Sequence, residues 1–193
     1  MRKNLSPERC EELKAIAADL IEDFGITEYP FGIWSLLRTL GVRRIPYSAL
    51  PGWLRGQTLR CYPDAVSLFP PDFNPARTIV FYNDAMSRER VRFTLAHELA
   101  HLVLQHPDTG EDVYEHEADF FANYLLGPAP LVLRDSSLDE YAIQQDFGVS
   151  YSCAVAIRDR AWKRKQWGPR GLTEYERRIL ACCRVARGGG QVA

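Results

Sequence analysis

The sequence has few histidines, few methionines and no long apolar run. Its 193 residues include four His and two Met. No stretch of about 18 consecutive apolar residues occurs, which excludes an ordinary membrane-spanning helix. Residues 1–6 are polar and lack the apolar core of a secretion signal, so we expect a cytoplasmic protein. Apolar residues make up 46% and charged residues 25%, a balance typical of a globular protein that buries a core without disulfides.

Cysteine is also scarce, and its pattern excludes a disulfide framework. The five cysteines are an odd number, and none of them forms a Cys-x-x-Cys pair. Such a set favours isolated thiols in a reducing cytosol. They are Cys10, Cys61, Cys153, Cys182 and Cys183.

The net charge of −1 hides an uneven distribution. Residues 158–187 hold ten Lys/Arg and three Asp/Glu, a net +7, which leaves −8 for the rest of the chain. A basic segment of this kind is compatible with an acidic partner, or with a helix surface that only faces solvent.

Periodicity and capping signals predict an α+β protein. Helices are expected over 7–24, 31–40, 88–106, 113–126, 138–146 and 150–165, with a last one capped by Thr173 and Glu176. Strands are expected over 42–47, 58–62, 66–69 and 78–82. Because their connections are short, we expect an antiparallel sheet, packed on the helix over 88–106.

All four histidines lie between positions 97 and 116, and two of them form His97-Glu98-Leu99-Ala100-His101. Residues four apart on a helix project from the same face, so two imidazoles can converge on one Zn²⁺. Glu98 is rotated by about 100° from His97, too far for the same ligand set. It is placed to act as the general base of this motif.

A catalytic zinc needs a third protein ligand. A third histidine in His-x-x-Gly-x-x-His spacing is absent, so we expect a carboxylate from the next helix. Glu117 shares a helix face with Phe121, which needs the core, and we predict that Glu117 is the ligand. Glu115, Asp119 and His116 remain alternatives. Asp119 also suits a role in orienting a ligand histidine, whereas His106 is expected at the surface.

The segments Ala96–His101, Glu117–Ala122 and Leu125–Pro128 together resemble the ImmA/IrrE metallopeptidases. The expected strand through Ile79–Asn83 and the Arg92-Phe93-Thr94 stretch also match that pattern. The resemblance spans roughly residues 10–165. One departure is Gly127, where the family usually has methionine.

The resemblance implies a zincin-like fold and a zinc peptidase that cuts helix-turn-helix repressors at specific sites, which releases mobile-element or stress genes. We expect a metallopeptidase core over 1–130, a C-terminal helical part over 131–187 and a flexible tail over 188–193. Tyr114, Tyr124 and His116 are candidates for stabilising the oxyanion.

Two other functions remain open. The segment Asp146–Ser150 between two helices is typical of a helix-turn-helix, and with the basic stretch it suggests DNA binding. Gln144 stands where a small apolar residue usually packs between such helices, which counts against it. A metal-binding regulator without proteolytic activity is the other alternative, although such a scaffold has no need of Glu98.

Overall fold

The computed structural model describes residues 5–107, 109 and 111–186. It is a mixed α+β fold, mostly helical, with two small sheets. Its helices are α1 (Pro7–Asp23), α2 (Ile33–Thr39), α3 (Gly52–Cys61), α4 (Arg88–Val103), α5 (Asp112–Leu126), α6 (Ala129–Asp135), α7 (Glu140–Phe147), α8 (Tyr151–Trp167) and α9 (Glu174–Cys182). Its strands are β1 (Glu28–Tyr29), β2 (Arg43–Pro46), β3 (Ala65–Leu68), β4 (Ile79–Tyr82) and β5 (Arg184–Val185).

The larger sheet has the strand order β2-β4-β3, and it corrects one prediction. β3 pairs with β4 antiparallel as expected, but β2 pairs with β4 in parallel, with Arg43 opposite Ile79. The sheet is therefore mixed. The physical reason is that the chain between β2 and β4 makes a full crossover through α3 and β3, which returns it in the same direction.

Residues 58–62, expected as a strand, belong instead to helix α3 and its end. No residue of α3 is buried, so no hydrophobic pattern marked it as a helix. The short helix α6 was not predicted. At the start of α5 the sequence also predicted a capping box of Asp112 with Glu115. This prediction is wrong, because Glu111 is the N-cap and makes no side-chain capping bond. The capping box of Thr173 and Glu176 is confirmed.

Helix α4 packs against α5, and these two helices carry the residues of the predicted site. Ser87 caps α4 by accepting a hydrogen bond from the Arg90 N–H at 3.3 Å. At the other end Gln105 has a positive φ of 53°. The His106 N–H then donates to the His101 carbonyl at 3.0 Å, as in a Schellman motif. This turn folds His106 back beneath the end of its own helix.

The buried apolar side chains of the described residues form one hydrophobic cluster, whose first member in the sequence is Leu13 and whose last is Val185. It includes side chains from α1, α4, α5, α8 and α9. Helix α1 packs on both α5 and α9, and β1 pairs in parallel with β5. The predicted tail over 188–193 lies outside the described residues. Among the described helices, none combines the length and the apolar character needed to cross a membrane.

Candidate metal centre

The structure brings His97, His101 and Glu115 together. The two Nε2 atoms are 3.0 Å apart. The Glu115 carboxylate lies 3.3 Å from Nε2 of His97 and 3.5 Å from Nε2 of His101. One ligand atom from each residue lies within 4.8 Å of the other two, so the three can hold one metal ion.

Glu117, which the sequence predicted as the third member, does not lie in this cluster. It is buried with Phe121 as expected, at 7% exposure. The cluster, however, is not on the core face of α5, because Glu115 is exposed. Glu115 and Glu117 are two residues apart and so project about 160° apart, which allows only one of them to reach the histidines. Glu115 takes that place in this structure.

Glu117 belongs to a chain of contacts behind the cluster. Its carboxylate accepts two hydrogen bonds from Arg9, at 2.9 Å from Nε and 2.6 Å from Nη2. It also lies 3.1 Å from Nε2 of His106, whose Nδ1 is 3.1 Å from Nδ1 of His101. His106 is therefore buried, at 4% exposure, and the prediction that it lies at the surface is wrong.

Asp119 lies behind the other histidine. Its carboxylate is 2.9 Å from Nδ1 of His97, so the Nδ1–H can donate to it while Nε2 faces Glu115. A carboxylate in this position fixes the tautomer and the ring orientation of a ligand histidine. The suggested orienting role of Asp119 is compatible with this contact.

Glu98 projects from α4 toward strand β3 of the larger sheet. Its carboxylate accepts a hydrogen bond from the Ser67 hydroxyl of β3. Burial raises the pKa of Glu98, although the bond from Ser67 and the nearby His97 act in the opposite direction. A carboxyl group with a raised pKa accepts a proton more readily than an exposed one. Sequence reasoning did not anticipate Ser67.

The electrostatics around the two histidines favour a cation. Burial disfavours a charged His97, but hydrogen bonds to Asp119 and Glu115 outweigh it and raise the pKa of His97 to about 10. Burial, followed by the neighbouring His97, lowers the pKa of His101 to about 4. The pair thus holds one positive charge among carboxylates at neutral pH. This donor set of two imidazoles and a carboxylate fits a divalent metal such as Zn²⁺.

Two clefts meet at this cluster, with volumes of about 880 Å³ and 520 Å³. Both are lined by His97, Glu98 and Glu115. The larger cleft extends toward α8, and the smaller one follows strand β3 and ends near Pro107.

The three oxyanion candidates lie in different places. Tyr114 lines the smaller cleft, and its ring centroid is 4.9 Å from that of His106. Tyr124 is 1% exposed and lines neither of the two clefts. The same clefts are not lined by His116. Of the three, the structure brings only Tyr114 near the cluster.

The model of the Peptidase_M78 family, described as the IrrE N-terminal-like domain, matches residues 60–156, which is half of the chain. The chain belongs to this peptidase family. The matched region contains α4 and α5, and so the whole of the His97, His101 and Glu115 cluster. No curated protein matches the chain. The resemblance seen in the sequence is confirmed at the level of the family.

Proposed function

We propose that this protein is a zinc-dependent endopeptidase that uses His97, His101 and Glu115 as metal ligands and Glu98 as general base. The observation that supports this most is the cluster itself, with Glu98 beside it at the junction of two clefts. A bound Zn²⁺ would supply Lewis-acid polarisation of the scissile carbonyl and activation of water.

The residues of the chain have separate tasks in this mechanism. Strand β3 is at the edge of the described sheet and lines the smaller cleft, so an extended peptide pairing with it would pass Glu98. Glu98 takes the proton of the attacking water and returns it to the leaving amine. Ser67 holds the Glu98 carboxylate in place.

We further propose that the substrate is a helix-turn-helix repressor, so that the reaction takes place in the cytoplasm. This rests on the likeness of the sequence to the ImmA/IrrE peptidases. DNA binding as the main function has less support, because five of the ten basic residues in the C-terminal segment are paired with carboxylates of the protein. Arginines in this segment that pair with carboxylates are Arg158, Arg164, Arg177, Arg178 and Arg184.

The test is to incubate the zinc-loaded protein with candidate repressors and to identify fragments by mass spectrometry. Glu98→Gln keeps the shape of the side chain but removes the base, so cleavage should fall at least about a hundredfold while zinc content stays the same. Undiminished cleavage by zinc-loaded Glu98→Gln would refute the mechanism. A wild-type protein that binds zinc but cuts no repressor would refute the substrate.

A further inference from the structure

Arg160 lies on α8 and lines the larger cleft, away from the metal cluster but in the same cavity as His97 and Glu98. Its position is fixed by two neighbours. Nη1 donates a hydrogen bond to the Asn123 side-chain oxygen, and the guanidinium lies 4.7 Å from the centroid of the Phe120 ring. Asn123 is itself 6% exposed, and its amide nitrogen donates to the Cys153 thiol at 3.3 Å. Both the oxygen and the nitrogen of the Asn123 amide are therefore hydrogen-bonded, and Arg160 is held in a defined orientation.

The charge of Arg160 is not neutralised by any described carboxylate. The ionisable groups that act on it are Tyr124, Cys153 and Cys10, none of which is charged at neutral pH. Burial lowers the pKa of Arg160 to about 10, so the guanidinium is still protonated at neutral pH. A partly buried, unpaired cation is costly, and this one faces a cleft that reaches the catalytic residues.

The free edge of Arg160 has the shape that carboxylates bind. Within the described part of the chain, Nε and Nη2 of Arg160 make no hydrogen bond, and neither is sealed from solvent. This same edge binds carboxylates elsewhere in the protein, where Arg90 contacts Asp64 at 2.8 and 2.9 Å and Arg164 contacts Glu176 at 2.5 and 2.7 Å. Arg92 also has free nitrogens, but they are buried and it lines neither of the two clefts.

We propose that the Nε/Nη2 edge of Arg160 is a subsite for a carboxylate of the peptide substrate. The inference rests on the peptidase function proposed above, and it adds a substrate class: peptides with an acidic group in the part that occupies the larger cleft. That group is either an Asp or Glu side chain or the free carboxyl end of the peptide. A forked, charge-assisted contact accounts for selection because the neutral amide analogue cannot accept both hydrogen bonds.

The test measures retention of synthetic octapeptides on the immobilised, zinc-loaded Glu98→Gln protein, which needs no turnover. One library is N-acetylated and C-terminally amidated, and the retained peptides are sequenced by mass spectrometry. Peptides with Asp or Glu should be retained at least about tenfold better than their Asn or Gln analogues. A second library has a free C-terminal carboxylate and no acidic side chain. Preferential retention of that library instead would assign the subsite to the end of the chain.

Arg160→Gln should abolish the preference for a carboxylate in either library. Arg90→Gln is the matched control, because Arg90 lines the same cleft but its edge is already occupied by Asp64, and it should keep the preference. Arg160→Lys keeps the charge without the fork and should weaken the preference. Its melting temperature shows whether that variant is folded.

The subsite is overturned if the protein that keeps Arg160 shows no preference for peptides with a carboxylate. It is also overturned if that preference survives in Arg160→Gln or is unchanged in folded Arg160→Lys. If the wild-type protein, which has Glu98, cuts no peptide, the proposed peptidase function is overturned. The retention measured with Glu98→Gln would still decide the subsite.

Discussion

Nδ1 of His106 lies 3.1 Å from Nδ1 of His101, so one of these two atoms must donate and the other accept. If Nε2 of His101 binds a metal, its proton is on Nδ1, and His106 must accept there and donate from Nε2 to Glu117. Every group in the chain His101–His106–Glu117–Arg9 then has a consistent role. Each of the two histidines thus has a partner at its Nδ1 atom, Asp119 for His97 and His106 for His101.

Replacing His106 tests this support. His106→Phe fills a similar volume but leaves the Nδ1–H of His101 without an acceptor. We expect zinc affinity to fall by about 10- to 100-fold, as when the outer partner of a ligand histidine is lost. Competition with a chelating dye measures the affinity. Wild-type affinity in a folded His106→Phe protein would show that the contact has no orienting role.

Three of the carboxylates of α5, those of Glu115, Glu117 and Asp119, should differ in their effect on zinc binding when each is changed to its amide. Glu115→Gln removes a proposed ligand and should lose more than about a hundredfold in zinc affinity. Asp119→Asn and Glu117→Gln should lose about 10- to 100-fold or less, because both act behind a histidine. Glu117→Gln should also lower the melting temperature, since Arg9 loses one of its two charged partners and keeps only Glu12. A variant series in which Glu117→Gln loses zinc and Glu115→Gln keeps it would contradict the cluster.

Zinc should stabilise the folded protein. At a free zinc concentration about a thousand times the dissociation constant, binding adds about 4 kcal/mol to the free energy of unfolding. Chelation should therefore lower the melting temperature of the wild type. The melting temperature of His101→Ala should be nearly the same with and without zinc, and a zinc-dependent shift in that variant would place the metal elsewhere.

A buried ion pair should make stability sensitive to acid. Burial acts to raise the pKa of Glu176, but hydrogen bonds from Arg164 and from the Thr173 N–H outweigh it, so the pKa is lowered in the folded state. The stabilisation is therefore present above the unfolded pKa of about 4.3 and is lost as pH falls through the folded value.

Glu176→Gln should lower the free energy of unfolding by roughly 3 kcal/mol at pH 7, because it leaves the Arg164 charge without its partner. Urea unfolding at pH 7 and at pH 3 measures the difference between variant and wild type. That difference should shrink at the lower pH. Equal differences at both values would mean that the carboxylate charge has no part in the stabilisation.

The sequence was most informative where local rules decide the structure. The helix spacing of His97 and His101 and the capping box of Thr173 depend on a few neighbouring residues, and both were predicted. The parallel pairing of β2 with β4 depends on a long crossover, and helix α3 buries none of its residues, so neither left a local signal.

For Glu115, the third member of the cluster, the sequence contained a signal that the prediction did not use. Glu115 and Asp119 are four residues apart and so share a helix face. If Asp119 lies beside one of the two histidines, Glu115 therefore lies on the same side of the helix. Glu117 was predicted because it faces the core with Phe121, but the cluster of His97, His101 and Glu115 lies at a cleft and not in the core. The proposed role of Arg160 depends on contacts between α5 and α8 that no local pattern specifies.

The short β1–β5 pairing joins a strand near the start of the described chain to one near its end, with Glu28 opposite Arg184 and Tyr29 opposite Val185. The Tyr29 hydroxyl also donates to the Leu125 carbonyl at 3.1 Å, at the end of the helix that carries Glu115. A fragment trimmed to the matched region 60–156 would lose the β1–β5 pairing and the Tyr29 hydrogen bond. It would also lose Arg9, which binds Glu117. Expression of the matched region alone would therefore yield an incomplete folding unit, in which α4 and α5 lack segments that pack against them in the whole protein.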